Sequence, residues 1–212
     1  MTYGEMYSLF NTLLDKGGYP YLAEVNFDML ANERQNVLMN SLIMDYQKTQ
    51  VLSDKISPLV TNFSLTNKTQ IIPSTDLSGY WHLGSMEGYS QYMCGSKLKK
   101  EYYPIVPLEG MSVVTNDPFN RPSERNLYYV ESNDLLALLP DTGLDVSGWY
   151  FKQPNKINSN STPNVVSQFK DDVCEEIVRM TEAIYSLTLG DMNGMQGTMA
   201  INTQSRLGYD GK

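Results

Sequence analysis

The chain has 212 residues, 16 Lys and Arg against 24 Asp and Glu, a formal net charge of -8 and one histidine. That length builds one domain-sized hydrophobic core, and the acidic balance argues against a protein that wraps nucleic acid by neutralising phosphates, which takes a basic face. No apolar run reaches the ~18 residues of a membrane span, and the N-terminal stretch has neither a basic leader nor a cleavage site, so we expect a protein made in the cytoplasm.

Tyr3, Met6, Tyr7, Phe10, Leu13 and Leu14 recur at steps of three and four, which predicts an amphipathic helix ending at Gly17 and Gly18. After Tyr19 and Pro20, a second helix is marked by Phe27, Leu30, Ala31, Leu38, Leu42 and Tyr46, with Asn26 as its N-cap and Glu24 and Asp28 at the positive end of its dipole. A helical hairpin over 2–48 is therefore expected.

The pattern changes beyond Val51. From Leu59 to Pro154, aromatic and β-branched clusters alternate with turn residues: IIP at 71–73, GYWHLG at 79–84, YYPIVP at 102–107, SVVTNDPFNRP at 112–122, LYYVE at 127–131, LLALLPDTG at 135–143 and SGWYFKQP at 147–154. Short strands separated by such turns predict an antiparallel meander with one buried face. Pro104, Pro107, Pro118, Pro122 and Pro154 belong at strand ends or edges, because proline donates nothing to a ladder.

A polar loop over 155–164 leads to the clearest helix, 166–189. Its stripe is Val166, Phe169, Val173, Ile177, Met180, Ile184 and Leu187. Asp171, Asp172, Glu175 and Glu176 fill its first half, Glu175 and Arg179 form an i, i+4 pair, and Gly190 is placed to end it. The remaining segment, 190–212, is rich in Gly, Asn, Gln, Met and Thr and lacks either period. It reads as an assembly arm that buries too little apolar surface to order alone. The expected whole is an α+β fold: a single domain over 1–189 and the extended arm 190–212.

Chemistry-bearing motifs are few. His82, the one histidine, would have to serve any catalytic triad alone, and beside Tyr80 and Trp81 it reads as structural. A helix N-terminus accounts for the four acids, and no phosphate-binding loop is present. Cys94 and Cys174, 80 positions apart, suggest free thiols rather than a disulfide framework or a metal site. No catalytic residue, cofactor or metal is expected, and we do not expect an enzyme. Lys97, Lys99 and Lys100 between tyrosines form a short basic cluster, read as a solvated loop or a patch for an acidic neighbour. In the arm, Met192, Met195, Met199, Ile201 and Tyr209 have no core to fill and suit insertion into a partner's groove. The 15 tyrosines lean the same way, since Tyr favours interfaces.

In order and spacing, NFDMLANERQNVLMN, IIPSTDLSGYWHLGS, VTNDPFNRPSERNLYYVESNDLLALLP, GWYFKQPNKI and DDVCEEIVRMTEAIYSL resemble the neck proteins of tailed bacteriophages, most nearly the connector ring proteins of crAss-like Bacteroides phages. The resemblance runs from Tyr3 to Asp191 and rests on structural segments. It implies a virion structural protein forming a homo-oligomeric, dodecameric ring between portal and tail, touching the portal and other ring proteins and passing DNA without specific binding. A rival reading is a β-rich module that binds carbohydrate or protein on an aromatic platform of Tyr80, Trp81, Trp149 and Tyr150.

Overall fold

In the computed structural model the described residues are 1–49, 53–94, 97–108, 121–123, 126–160 and 165–189; for 90–94 and 97–101 the backbone alone is described. They form an α+β protein of four helices, one 3-10 turn (Ser57–Leu59) and a seven-stranded sheet. The described residues group into two compact units, one of 1–58 with 154–189, the other Leu59–Gln153.

The helical unit begins with α1, Tyr3–Gly17. Thr2 caps it in a reciprocal box, its Oγ1 accepting from the Glu5 N–H at 3.2 Å while the Glu5 carboxylate accepts from the Thr2 N–H at 2.7 Å. At the other end Gly18 takes the left-handed conformation (φ 71°), and the chain turns there as the paired glycines predict. Helix α2 spans Glu24–Thr49. Asn26 is not its N-cap: the helix opens one turn earlier, where the Ala23 carbonyl already accepts from the N–H groups of Asn26 and Phe27. The two helices meet close to their turn, where Phe27 packs against Phe10 (5.0 Å between ring centroids) and Tyr7 (5.4 Å), and each lies along the last helix.

That last helix, α4, spans Asp171–Thr188, not 166–189. Its expected first turn is extended instead, because Val166 bridges Thr2: Tyr3 N–H donates to the Val165 carbonyl and Ser167 N–H to the Met1 carbonyl, both at 3.0 Å. Val173, Cys174, Ile177, Val178 and Thr181 are buried, whereas Met180, Ile184 and Leu187 are half-buried. The predicted stripe is thus rotated toward Cys174 and Val178. Gly190 and the arm 190–212 lie outside the described residues.

A polar ladder on α2 fixes the stretch after the sheet. Asn32 pairs with the backbone of Ile157 as a neighbouring strand would, donating to its carbonyl (2.9 Å) and accepting from its N–H (2.8 Å). One turn earlier, Asp28 accepts from Ser159 N–H at 3.0 Å. One turn later, the buried Gln35 donates to the Asn155 carbonyl at 3.0 Å. Four backbone groups of this segment thus gain partners from side chains at helical spacing.

The sheet unit contains β1 (Val60–Lys68), β2 (Gln70–Ile71), the one-turn α3 (Pro73–Asp76), β3 (Tyr80–Cys94), β4 (Lys97–Pro107), β5 (Leu127–Ser132), β6 (Leu135–Leu139) and β7 (Leu144–Lys152). Strand order is β1-β7-β3-β4-β5-β6-β2. It is a mixed sheet and not the expected antiparallel meander: β4 and β5 run parallel, Ile105 opposite Leu127. Parallel neighbours need a long crossover, and 19 residues, 108–126, separate the two strands in sequence. The strand expected over 112–122 falls mostly outside the described residues, as does Pro118. Pro104 stands where β4 leaves β3 (Glu87 opposite Pro104) and takes up β5 from Ile105, a changeover that suits a residue without an N–H.

One face of the sheet is apolar. Ile71, Met86, Ile105, Leu127, Leu136, Leu138, Leu144, Val146 and Tyr150 form its core with Leu77, and Phe63, Leu65 and Tyr103 pack against it. Gly148 lies in this layer between Phe63 and Met86 in register. A Cβ there would come within 2.2 Å of the Ser85 carbonyl oxygen, so only glycine lets the strands approach.

Candidate assembly surfaces

Helix α2 is apolar on two sides. Its inner side buries Phe27, Ala31, Leu38, Met39, Ile43 and Tyr46. Yet Val25 is 75% exposed, Met29 64%, Val37 45% and Met44 58%, interleaved with Asn26, Glu33, Asn36 and Asn40. A helix that only covers its own core keeps its apolar residues to one stripe; the second set has no counterpart within the described helical unit.

In the sheet unit, β3 outruns β7. It pairs with β7 from Tyr80 to Tyr89 and with β4 from Glu87 to Cys94, so that residues 90–94 and 97–101 pair only with each other among the described residues. The three lysines lie on this two-stranded ribbon, Lys97 opposite Cys94, Lys99 opposite Tyr92 and Lys100 opposite Gln91. Met192, Met195, Met199, Ile201 and Tyr209 fall outside the described residues.

The aromatic residues of the rival reading do not share one surface. Tyr150 is buried in the apolar layer, its hydroxyl donating to the Ser78 carbonyl at 2.9 Å and its ring 5.9 Å from Tyr80 and 6.1 Å from Phe63. Burial, helped by the negative charge of Glu131, pushes the Tyr80 hydroxyl up to about 12. Trp149 points to the opposite face, edge-on to Phe151 at 5.1 Å. His82 stacks on Trp81 at 5.7 Å, and burial holds its pKa below the usual value despite the Glu131 carboxylate.

Three of the four acids of α4 have separate partners: Asp171 accepts from the N-terminal amine and raises its pKa, Glu175 lies 3.9 Å from Arg179, and Glu176 binds Lys55 at 2.7 Å. Among the described residues no group of three or more His, Cys, Asp or Glu side chains could hold a metal, and no helix is long and apolar enough to cross a membrane. Cys174 is a buried free thiol whose pKa burial raises.

The polar face of the sheet holds a shallow pocket of about 320 Å³ that sequence reasoning does not find. Ser64 and Ser147 face each other across β1 and β7, Tyr89 faces Asp145 across β3 and β7, and Tyr89 faces Tyr102 across β3 and β4. Ser64, Thr66 and Ser147 bring short hydroxyl side chains to its lining, and the two tyrosines, rings 5.0 Å apart, an aromatic pair. At the register shift between Leu65 and Lys68, Asn67 (φ 51°) donates its N–H to Asp145 Oδ1 at 2.9 Å. The chain matches no protein-family model and no curated protein.

Proposed function

We propose that this protein is a structural subunit of a tailed-phage virion, one copy of a ring in the neck that joins portal to tail and lets DNA pass. The observation that carries the reading is the second apolar set on α2. Val25, Met29, Val37 and Met44 offer a row of large side chains that a neighbouring subunit would desolvate, and rows of this kind mark protein interfaces. The ribbon of β3 and β4 supports it, since a two-stranded extension adds little to its own unit's core and much to a partner's surface. The placement in a phage neck rests on the resemblance carried by the sequence segments.

In this reading, helices α1 and α2 and the arm 190–212, with Met192, Met195, Met199, Ile201 and Tyr209, contribute to heterologous contacts that close into a ring. Lys97, Lys99 and Lys100 face an acidic neighbouring ring. The excess of acids gives the channel a field that repels phosphate. Light scattering coupled to size exclusion, with native mass spectrometry, tests the proposal. The full chain should form one large closed oligomer, and Val25→Glu with Met29→Glu should leave a folded monomer, because both side chains already face solvent. A wild-type chain that stays monomeric at about 100 µM, where even weak specific interfaces associate, overturns it.

A further inference from the structure

We infer that the pocket on the polar face of the sheet binds a neutral saccharide ring. The inference is independent of ring formation and uses a different face and different residues from the Tyr80 and Tyr150 layer.

Among the described residues that line the pocket none is Lys, Arg or His, and Asp145 brings a carboxylate, a lining that disfavours phosphate, sulfate and nucleic acid. The lining is too polar to favour a lipid chain: Ser64, Thr66 and Ser147 offer hydroxyls, each both donor and acceptor, and Asp145 a carboxylate. What remains is a ligand with many neutral hydroxyls and one apolar surface. A pyranose ring has both, a rim of O–H groups and a face of C–H groups that packs on an aromatic ring.

The geometry suits that ligand. Tyr102 is 61% exposed, and Tyr89 beside it is tilted by 54° at 5.0 Å, so the pair forms a corner rather than a flat stack. A sugar lying against Tyr102 would reach over Tyr89 toward Asp145, one strand further in register. Asp145 is already oriented, because its Oδ1 accepts from Asn67 N–H, and its other oxygen is left to accept from a sugar hydroxyl. The facing Ser64 and Ser147 line the same pocket, and bonds from their hydroxyls to those of the sugar would fix the ring's rotation. The volume of about 320 Å³ is at the small end of ligand sites, fitting one or two rings of a longer chain that leaves through the open side.

The test uses the full chain with cellotetraose, maltotetraose, xylotetraose and mannotetraose as probes, followed by saturation-transfer NMR and titration calorimetry. At least one should bind saturably with a dissociation constant near or below about 1 mM, with transfer strongest to ring C–H protons. Tyr102→Ala should weaken that binding at least about tenfold, Tyr102→Phe should retain it, and Asp145→Asn, which keeps an oxygen for Asn67, should weaken it about tenfold by removing the charged acceptor. Tyr21→Ala, at an exposed tyrosine of the helical unit, should change nothing. No saturable binding of any probe at about 10 mM, or binding indifferent to Tyr102→Ala, overturns the inference. So does a proline-rich peptide that binds through Tyr102 while the sugars do not.

Discussion

Asn32→Ala removes the side chain that pairs α2 with the segment following the sheet. Its two bonds with Ile157 disappear, to the carbonyl and from the N–H, at a residue only 3% exposed, and with them its bond to the Asp28 carbonyl at 2.6 Å, an acceptor that lies within the helix itself. Each is worth ~1 kcal/mol net when water replaces it and up to ~3 kcal/mol when the abandoned group stays buried. Since Asn32 itself is only half-buried, water reaches part of the gap, and the lower figures apply. Alanine returns ~0.5 kcal/mol in helix propensity. The balance for the Ile157 pair is a loss of about 1.5 kcal/mol. Urea denaturation followed by both far-UV ellipticity and tryptophan fluorescence should show the loss as a lower midpoint, and the Ile157 amide should exchange faster with deuterium while the Ile177 amide is less affected. A loss below ~0.5 kcal/mol, with Ile157 still protected, would refute the view that side-chain pairing holds this segment.

Ile177→Asp puts a carboxylate at a fully buried site of α4 and should unfold the helical unit, a cost of several kcal/mol that circular dichroism would register as lost helicity. Gly148→Ala drives a methyl group against the Ser85 carbonyl and should lower the thermal midpoint well beyond a typical surface alanine, checked by calorimetry. The Asp76 carboxylate, bonded first to Lys68 Nζ at 2.7 Å and then to Ile72 N–H, is held below its ordinary value of 3.8; its contribution is present above that value and lost as pH falls through the depressed one, so Asp76→Asn should flatten the acid limb of a stability-against-pH curve. Purified protein should show no salt-sensitive affinity for duplex DNA near physiological ionic strength. Submicromolar binding abolished by replacing Lys97, Lys99 and Lys100 with Gln would make it a DNA-gripping component instead.

Periodicity revealed the helices because their cores are simple: Met6, Phe10 and Leu14, or Val173 and Ile177, bury one face at one spacing. It failed where backbone partners decide. Val166 continues the apolar stripe of α4, yet the N-terminal backbone draws it into a bridge. Strand β1 was hidden because Ser64 and Thr66 alternate with Phe63 and Leu65, half a signal in a stretch rich in Asn and Thr. The Thr2 and Glu5 pair fits a capping box and was legible in principle. Asp28, Asn32 and Gln35 were not: polar residues at helical spacing normally mean solvent, and only the segment that returns 120 or more positions later gives them partners. The pocket is of the same kind, since Ser64, Ser147, Tyr89 and Tyr102 become neighbours through strand order alone.

Strand β3 is shared end to end, with β7 along its first part and β4 along its second. A force applied at the tip of the ribbon and directed along β3 therefore runs parallel to the strands and perpendicular to their hydrogen bonds. The bonds from Tyr80 to Tyr89 would be loaded together, in shear, and would have to fail as a set. The same force directed sideways would peel β4 away one pair at a time, starting at Cys94 and Lys97. The sheet unit is in this respect a mechanically anisotropic part, stiff to axial tension and compliant to lateral tension.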